Sequence, residues 1–335
     1  MIDIEDHPAL LEWLHTWSLI DGANARCENL TGGVSNKTVL VSTRDQSVVV
    51  KQALHELRVA TTWECSPDRI HREALGLRVL KEILPPGCTP NWLAEDKTQH
   101  ILVMSAIPAP HDNWKSLLLQ GRVTSGHIDQ FATLLAMIHT AEITPEMQPF
   151  RDTSFFEALR LTPYYEYTGT QVAGAAPFLN ALAADTLSQS SQLVHGDYSP
   201  KNILVNNGRL ILLDHEVMHI GDPAFDVGFA LAHLLSKAHH LASHREDFVH
   251  AAHGFWSRYR ELTDCGPERA TRAGRHTLAC LLARVAGRSP LEYLNKEEQQ
   301  RQREICLGLM NASDTQPMDI RRVIDHFSTG IEDTP

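Results

Sequence analysis

The amino-acid sequence predicts an α+β protein of two lobes, a small β-rich N-terminal lobe and a larger, mainly helical C-terminal lobe. The chain of 335 residues is long enough for two closely joined lobes. Short β-branched runs are concentrated in its first third, whereas helical spacing of apolar residues dominates the remainder. The turn-rich stretch "PAPHDN" separates the region of β-branched runs from the region of helical spacing. We therefore predict an N-lobe over residues 1–107 and a C-lobe over residues 108–335.

The predicted N-lobe contains two helices and three strands. Residues 8–20 begin with a proline and continue with apolar residues at helical spacing. The runs "KTVLVST" and "QSVVVKQ", joined by a polar turn, predict an antiparallel hairpin. Residues 68–84 carry a helical apolar stripe that ends at a Pro-Pro-Gly sequence, and the strand "HILVMSAI" follows at residues 100–107.

The predicted C-lobe is built mainly of helices, over residues 124–140, 154–162, 175–190, 223–240, 245–262 and 268–287. Two short strands, "NILVN" and "RLILLD", interrupt them. These strands flank an Asn-Gly pair, which is typical of a tight hairpin.

Composition and charge limit the classes of partner. The net charge of −11 argues against nucleic acid and anionic membranes, because both require a basic protein face, and it slightly favours cationic or neutral substrates. The six cysteines form no C-x-x-C pair, which indicates free thiols in a reducing compartment. The N-terminus lacks the regions of a signal peptide, and no apolar run approaches the roughly 20 residues of a membrane helix. We expect a cytoplasmic monomer or homodimer.

The stretch "LVHGDYSPKNILV" carries the strongest chemical signal. It places Asp197 and Asn202 at the two ends of a loop between apolar runs, and Asp214 ends the second strand of the following hairpin. A metal ion that bridges nucleotide phosphates requires hard oxygen ligands, which Asn202 and Asp214 supply. Asp197, left unligated, can accept the proton of an incoming hydroxyl nucleophile.

Three weaker signals lie in the N-lobe. A glycine turn at "GGVSN" would let backbone N–H groups approach a phosphate, although such turns are also common in hairpins. Lys51 closes the strand "VVVK", where it is either a phosphate ligand or a solvated edge residue. Glu73 is either a surface glutamate or faces the sheet and pairs with Lys51. In the second case the two charged groups should lie within roughly 4 Å of each other.

The segments "HGDYSPKN", "LLDHE" and "GDPAFDVG", in this order, resemble the phosphotransferases of the aminoglycoside phosphotransferase type. These enzymes have a protein-kinase-like fold and are relatives of choline, fructosamine and methylthioribose kinases. The motif H-G-D-x-x-x-x-N is matched at His195, Gly196, Asp197 and Asn202, and the next acidic motif is matched at Asp214. The resemblance covers roughly residues 30–230.

This resemblance implies a role for each candidate residue. Asp197 would be the catalytic base, Asn202 and Asp214 would bind Mg²⁺, and Lys51, held by Glu73, would clamp the phosphates. It also implies ATP, with GTP not excluded, as the phosphate donor. Further nucleotide contacts are expected from Gly33, Ser35, Asn36, Met104 and Ala106.

The acceptor pocket of such enzymes is built from C-lobe helices, which here carry the candidate contacts His233, Arg284, Arg288 and Tyr164. The arginines would suit an acceptor with a carboxylate or phosphate, against the preference suggested by net charge. The sequence leaves aminoglycosides, amino alcohols, sugars and sugar acids open. It also leaves open whether Lys201 approaches the γ-phosphate or is solvated, and whether Glu216 binds a second metal.

We therefore predict an ATP-dependent O-phosphotransferase that acts on a hydroxyl group of a small molecule. The alternative is a nucleotide-binding pseudokinase that serves as a regulatory or interaction module. A protein kinase is a poor match, because only eleven residues separate Asp214 from Asp226, too few for a long activation segment.

Overall fold

The computed structural model describes residues 2–21, 24–30, 33, 35–58, 63–313 and 318–332. The chain forms two compact units. The first unit comprises Met1–His111 and Ile211–Val217, and the second comprises Asp112–Leu210 and Met218–Pro335. Residues 211–217, which fall within the predicted C-lobe, thus belong to the first unit. They are held there by a hydrogen bond of 2.8 Å from the Leu212 N–H to the Cys88 carbonyl.

The first unit is an antiparallel sheet with two helices. Its elements are α1 (His7–Thr16), β1 (Arg26–Asn29), β2 (Asn36–Ser42), β3 (Ser47–Ala53), α2 (Arg69–Ile83), β4 (Trp92–Asp96) and β5 (Ile101–Ser105). The five strands lie in the order β1-β2-β3-β5-β4. Strands β2 and β3 pair antiparallel with Thr38 opposite Lys51, which confirms the predicted hairpin.

The alternation of side chains along the strands gives the sheet two apolar faces. On one face, Val48, Val50 and Val103 pack with α1. On the other face, Val49 and Ala53 pack with α2. Lys51 lies between these last two residues in β3, so its side chain is directed toward α2.

The second unit contains most of the helices. Its elements are β6 (Asp112–Asn113), α3 (Trp114–Leu119), α4 (Ser125–Thr140), α5 (Ser154–Phe156), α6 (Tyr167–Gln171), α7 (Ala176–Ser188), β7 (Gln192–Val194), β8 (Ile203–Asn206), β9 (Arg209–Leu212), β10 (His219–Gly221), α8 (Pro223–His240), α9 (Arg245–Leu262), α10 (Pro267–Ala286), α11 (Lys296–Ser313) and α12 (Ile320–Glu332). A π-helical segment, Glu157–Glu166, joins α5 to α6. The strands form two small sheets, β10-β7 and β6-β8-β9, the second of which includes the predicted Asn-Gly hairpin. The last two residues of β9, Ile211 and Leu212, are counted with the first unit.

Helix α8 is the centre of this unit. All of its residues except His240 are buried, and it packs against α9 and α10. The crossing with α10 is close at Gly228, where an added Cβ would lie 2.4 Å from the His276 Cβ and 2.7 Å from the Thr277 nitrogen. A side chain at this position would therefore force the two helices apart.

The helix predicted over residues 154–162 is longer than expected, and its middle section is a π-helix instead of an α-helix. It continues to Gln171 and contains Pro163 within the π-helical segment. Proline has no N–H to donate, and π-type turns often occur at functional sites. This segment supplies Arg160 and Tyr164, both buried, to the site described below.

Among the described residues, no helix has the length and apolar character that crossing a bilayer requires.

Candidate active site

A buried ion pair joins β3 to α2 in the first unit. The Lys51 Nζ atom lies 2.5 Å from the Glu73 Oε1 atom, and both residues are largely buried. The pairing predicted from the sequence is confirmed. Burial alone would lower the pKa of Lys51, but Glu73, Asp214 and Glu216 together raise it above its ordinary value. The amine is therefore held as an ammonium group.

Three carboxylates, those of Glu73, Asp214 and Glu216, surround this lysine. One oxygen from each lies within 4.8 Å of the others. The Asp214 Oδ1 atom is buried and has no hydrogen-bond partner among the residues that the structure describes. Burial and the two neighbouring carboxylates raise the pKa of Glu73 above its ordinary value. A divalent cation at this place would compensate the excess of negative charge.

Arg69, at the start of α2, fixes the position of Glu216. Its Nε atom lies 3.3 Å from the Glu216 Oε2 atom, and its side chain is completely buried. The guanidinium also donates to four backbone carbonyls, those of Ser35, Leu54, Cys65 and Ser66. It thereby ties the beginning of β2 and the segment before α2 to the carboxylate cluster.

The glycine turn predicted to contact phosphate is described only in part, because Gly32 and Val34 lie outside the described residues. Asn36 donates from Nδ2 to the Ser35 Oγ atom at 3.1 Å and to the Glu216 Oε2 atom at 3.2 Å. Asn36 therefore contacts the Glu216 carboxylate directly, and Ser35 contacts Asn36. Among the described residues, a Cβ on Gly33 would meet the Asn36 carbonyl, at 3.9 Å, which is an ordinary contact distance.

The two nucleotide contacts predicted near the end of β5 differ in their surroundings. Met104 is 4% exposed and packs in the apolar cluster between the sheet and α2. Ala106 is half-buried, and its N–H donates to the Ser47 carbonyl at 3.1 Å.

In the second unit, Asp226 on α8 anchors the loop that carries the H-G-D motif. Its Oδ2 atom accepts from the His195 N–H at 2.7 Å and its Oδ1 atom accepts from the Gly196 N–H at 2.8 Å. The Nε2 atom of His139 lies 3.1 Å from the same carboxylate. Gly196 has a φ of +78°, which glycine adopts without strain. The sharp turn that presents the next residue, Asp197, depends on both features.

The two carboxylate oxygens of Asp197 have different surroundings. Oδ2 lies 2.7 Å from the Arg160 Nη2 atom, 3.0 Å from the Lys201 Nζ atom and 2.7 Å from the Asn202 Nδ2 atom. Oδ1 is buried and has no hydrogen-bond partner within the described ranges. Burial would raise the pKa of Asp197, but Arg160, Lys201 and Asn202 lower it to about 2.

The loop residues predicted with Asp197 are near it. Asn202 donates both to the Asp197 side chain and to its backbone carbonyl, at 3.0 Å, which leaves its amide oxygen as the atom suited to a metal ion. Lys201 keeps 42% of its side chain exposed while pairing with Asp197. Lys201 is therefore partly solvated and also paired with a carboxylate, and its approach to the γ-phosphate stays a prediction.

Three of the four predicted acceptor contacts come together. Arg284 on α10 donates from Nη1 to the Tyr164 hydroxyl at 2.8 Å, and its Nη2 atom lies 3.4 Å from the His233 Nε2 atom. Arg288 is exposed and lies over the Tyr167 ring, 5.0 Å from its centroid.

Two site residues were missed in the sequence, Arg69 and Arg160. Arg160 lies between Leu159 and Leu161, and this apolar setting was an available signal, since an arginine is seldom fully buried unless it is paired. Arg69 lies among polar residues, next to Asp68, and the sequence carries no such signal for it.

Comparison with known proteins places these observations in a family. The model of the phosphotransferase enzyme family (APH) matches residues 26–262. The methylthioribose kinase of Yersinia enterocolitica serotype O:8 / biotype 1B is 28% identical over 239 residues, which cover 61% of this chain and 58% of the kinase. The chain thus spans less than two thirds of the length of the curated relatives it matches.

Two solved structures show the fold. A choline/ethanolamine kinase family protein from Mesorhizobium loti has a TM-score of 0.53 and 17% identity, covering 97% of this chain and 95% of that protein. The streptomycin–ATP–APH(2")-IIa ternary complex has a TM-score of 0.52 and 15% identity, covering 92% and 97%. The predicted two-lobed, protein-kinase-like α+β fold is therefore confirmed.

Replacing Arg69 by methionine should lower the free energy of unfolding by about 3 kcal/mol, because Glu216 and four carbonyls lose a buried partner. Urea denaturation measures this change. The matched control is Arg78→Met on the same helix, where the side chain is 35% exposed and lies 3.5 Å from Glu95. The control should cost less than about 1 kcal/mol. Equal losses in the two variants would contradict the structural role of Arg69.

Proposed function

Because the chain belongs to the phosphotransferase enzyme family, we propose that it transfers the γ-phosphate of ATP to a hydroxyl group of a small molecule. The observation that carries this proposal is the environment of Asp197. One of its oxygens is fixed by three donors, and the other is buried without a partner in the described structure. A free, oriented carboxylate oxygen is what a hydroxyl nucleophile needs as a proton acceptor.

In the proposed reaction, Asp197 binds the acceptor hydroxyl through Oδ1 and orients its oxygen toward the γ-phosphorus. The hydroxyl oxygen forms the new P–O bond, the bond from the γ-phosphorus to the bridging oxygen of ADP breaks, and the hydroxyl proton passes to Asp197. With a pKa of about 2 this carboxylate is a weak base, so its main contribution is orientation. Phosphoryl transfer tolerates this, because its transition state is loose.

The first unit supplies the proposed nucleotide contacts. Lys51 would bind phosphate oxygens, and Glu73 prevents it from sampling other rotamers. The remaining proposed contacts are Gly33, Ser35, Asn36, Met104 and Ala106. The ternary complex named above contains ATP, which supports ATP as the donor, and GTP is an alternative donor.

The donor set fits a divalent metal. The partnerless Oδ1 atom of Asp214 and the neighbouring carboxylates of Glu73 and Glu216 offer hard oxygen ligands in a cluster with excess negative charge. We propose Asp214 and, from the second unit, the amide oxygen of Asn202 as ligands of Mg²⁺. When bound, the metal ion would neutralise charge on the β- and γ-phosphates.

We propose that the acceptor is a small compound with a hydroxyl group. Relatives and structural neighbours are named for methylthioribose, choline or ethanolamine, and streptomycin, which are chemically diverse. We also propose a cytoplasmic location, which the six free cysteine thiols support, and a monomeric or homodimeric state.

Asp197→Asn keeps the shape of the side chain but replaces the carboxylate by an amide, which neither orients the acceptor hydroxyl through a charged oxygen nor accepts its proton. We expect kcat to fall by about 10²- to 10⁴-fold, with ATP affinity retained. A coupled ADP-release assay with a panel of hydroxyl compounds measures turnover, and calorimetry measures ATP binding. Asp129→Asn, an exposed surface substitution paired with Arg258, is the control. Near-wild-type kcat in Asp197→Asn would remove Asp197 from the role of base.

Asp214→Asn tests the metal. Asparagine tolerates the left-handed backbone of this residue, whose φ is +65°, so the change removes charge without adding strain. We expect Mg²⁺-dependent binding of a non-hydrolysable ATP analogue to be lost, together with turnover. Titrations with and without Mg²⁺ distinguish this outcome from general damage. Unchanged affinity for the Mg²⁺ complex would contradict the assignment.

A further inference from the structure

We infer that the acceptor carries an anionic group, a carboxylate or a phosphate monoester, and that Arg284 and Lys237 bind it. This inference rests on the proposed function, because it assigns the substrate class of the same site. The anion subsite is defined as Tyr164, His233, Lys237 and Arg284.

Arg284 is a buried cation without an anionic partner. Its side chain is 6% exposed, and it forms no ion pair with a carboxylate in the described part of the chain. Its hydrogen-bond partners are neutral. They are the Tyr164 hydroxyl, the carbonyl and hydroxyl of Ser289, and the His233 Nε2 atom. Its Nε atom is buried and makes no hydrogen bond to any described residue. A guanidinium is always charged, so this position favours an anion that the protein itself does not supply.

Lys237, one helical turn after His233 on α8, is a second buried basic residue that has no anionic partner among the described residues. It is completely buried, and its Nζ atom donates to the His233 carbonyl at 3.1 Å. The amine also lies over the Tyr293 ring, 5.4 Å from the centroid. Neither partner is an anion. Lys237 thus has spare donors and no carboxylate at hydrogen-bond distance among the described residues. Burial, followed by Lys115 and Arg284, lowers the pKa of Lys237 to about 7, so a bound anion would favour its ammonium form.

Basic groups predominate around the subsite, although the carboxylate of Glu292 also acts on it and raises the pKa of Lys237. Burial lowers the pKa of His233 well below its ordinary value. The nearby basic groups of Arg284, Lys237, Lys201 and Lys115 lower it further. The carboxylate of Glu292, at the rim, is already paired with Lys115. A cationic acceptor would therefore meet repulsion, which a protein uses to reject a wrong substrate class.

Side-chain contacts link the subsite to Asp197. Arg160 pairs with the Asp197 Oδ2 atom at 2.7 Å, and its guanidinium carbon lies 6.0 Å from the centroid of the Tyr164 ring. The hydroxyl of Tyr164 accepts from Arg284. An acceptor with its anionic group at Arg284 would thus extend along Tyr164 and present its hydroxyl to Asp197. A hydroxy acid or a sugar phosphate has this arrangement of groups.

A panel of matched compounds tests the charge preference. The three-carbon set is glycerate, glycerol and serinol, and the six-carbon set is gluconate, sorbitol and glucosamine. Glycerol 3-phosphate and glucose 6-phosphate distinguish a phosphate from a carboxylate. Calorimetry measures binding to the enzyme loaded with Mg²⁺ and a non-hydrolysable ATP analogue, and ADP release measures turnover. We expect an anionic member to bind about tenfold or more tightly than its neutral and cationic counterparts.

Substitutions test which residues produce the preference for an anionic acceptor. Arg284→Met and Lys237→Met should weaken binding of the anionic member by about 10- to 100-fold and raise its KM, with kcat much less affected. Binding of the neutral counterpart should change little. Arg284→Lys keeps the charge and should restore part of the preference. The control is Arg275→Met on the same helix, where the guanidinium lies over Phe178, 4.9 Å from the centroid.

Each outcome has a defined meaning. Equal binding of charged and neutral counterparts, tightest binding of a cationic member, or no binding of any anion would overturn the inference. So would an equal loss for all compounds in Arg284→Met, which indicates a structural role alone. Arg284-dependent binding of an anion without phosphate transfer to any compound would support the subsite and contradict the proposed function.

Discussion

The buried carboxylate of Asp226 fixes the chemistry-bearing loop of the second unit. It accepts from two successive backbone N–H groups, those of His195 and Gly196, and it also lies next to His139. Burial would raise the pKa of Asp226, but these partners lower it. The carboxylate therefore remains ionised inside the fold. Because α8 carries it, the position of Asp197 depends on the packing of that central helix.

The packing of α8 in turn explains why small changes near it would be costly. Its crossing with α10 requires a glycine at position 228, and α10 carries Arg284. Helix α8 also carries His233 and Lys237. The same helix pair thus positions the proposed base, through Asp226, and the proposed anion subsite. A rigid crossing of this kind holds both groups without the entropic cost of ordering a loop.

The two units contain opposite local imbalances of charge. Around Lys51 in the first unit, carboxylates outnumber cations, which suits a metal ion. Around Asp197 in the second unit, cations outnumber carboxylates, which suits an anion. The net charge of −11 is therefore a poor guide to substrate class, since it averages over surface residues that no substrate touches.

Most of the fold could be predicted from local patterns, whereas the site could be predicted only in part. Periodicity identified the β2–β3 hairpin and α8, and the motif spacing identified Asp197 and its neighbours. Arg69 was missed because its role comes from contacts distant in sequence, such as Glu216. Helix α12 was missed although its apolar residues recur at helical spacing, so that signal was present. Helix α11 is mostly polar, and only packing reveals which side it buries.

The surroundings of Asp197 combine two demands that oppose each other. The cations that orient its Oδ2 atom also lower its pKa to about 2, which makes it a weaker base. Basicity matters less when the acceptor proton leaves late, as it does in a loose phosphoryl-transfer transition state. Orientation and the attraction of an anionic acceptor both benefit from the same positive field. For the proposed reaction, the arrangement thus gives up basicity, which phosphoryl transfer needs least, and keeps the charge that would position both reactants.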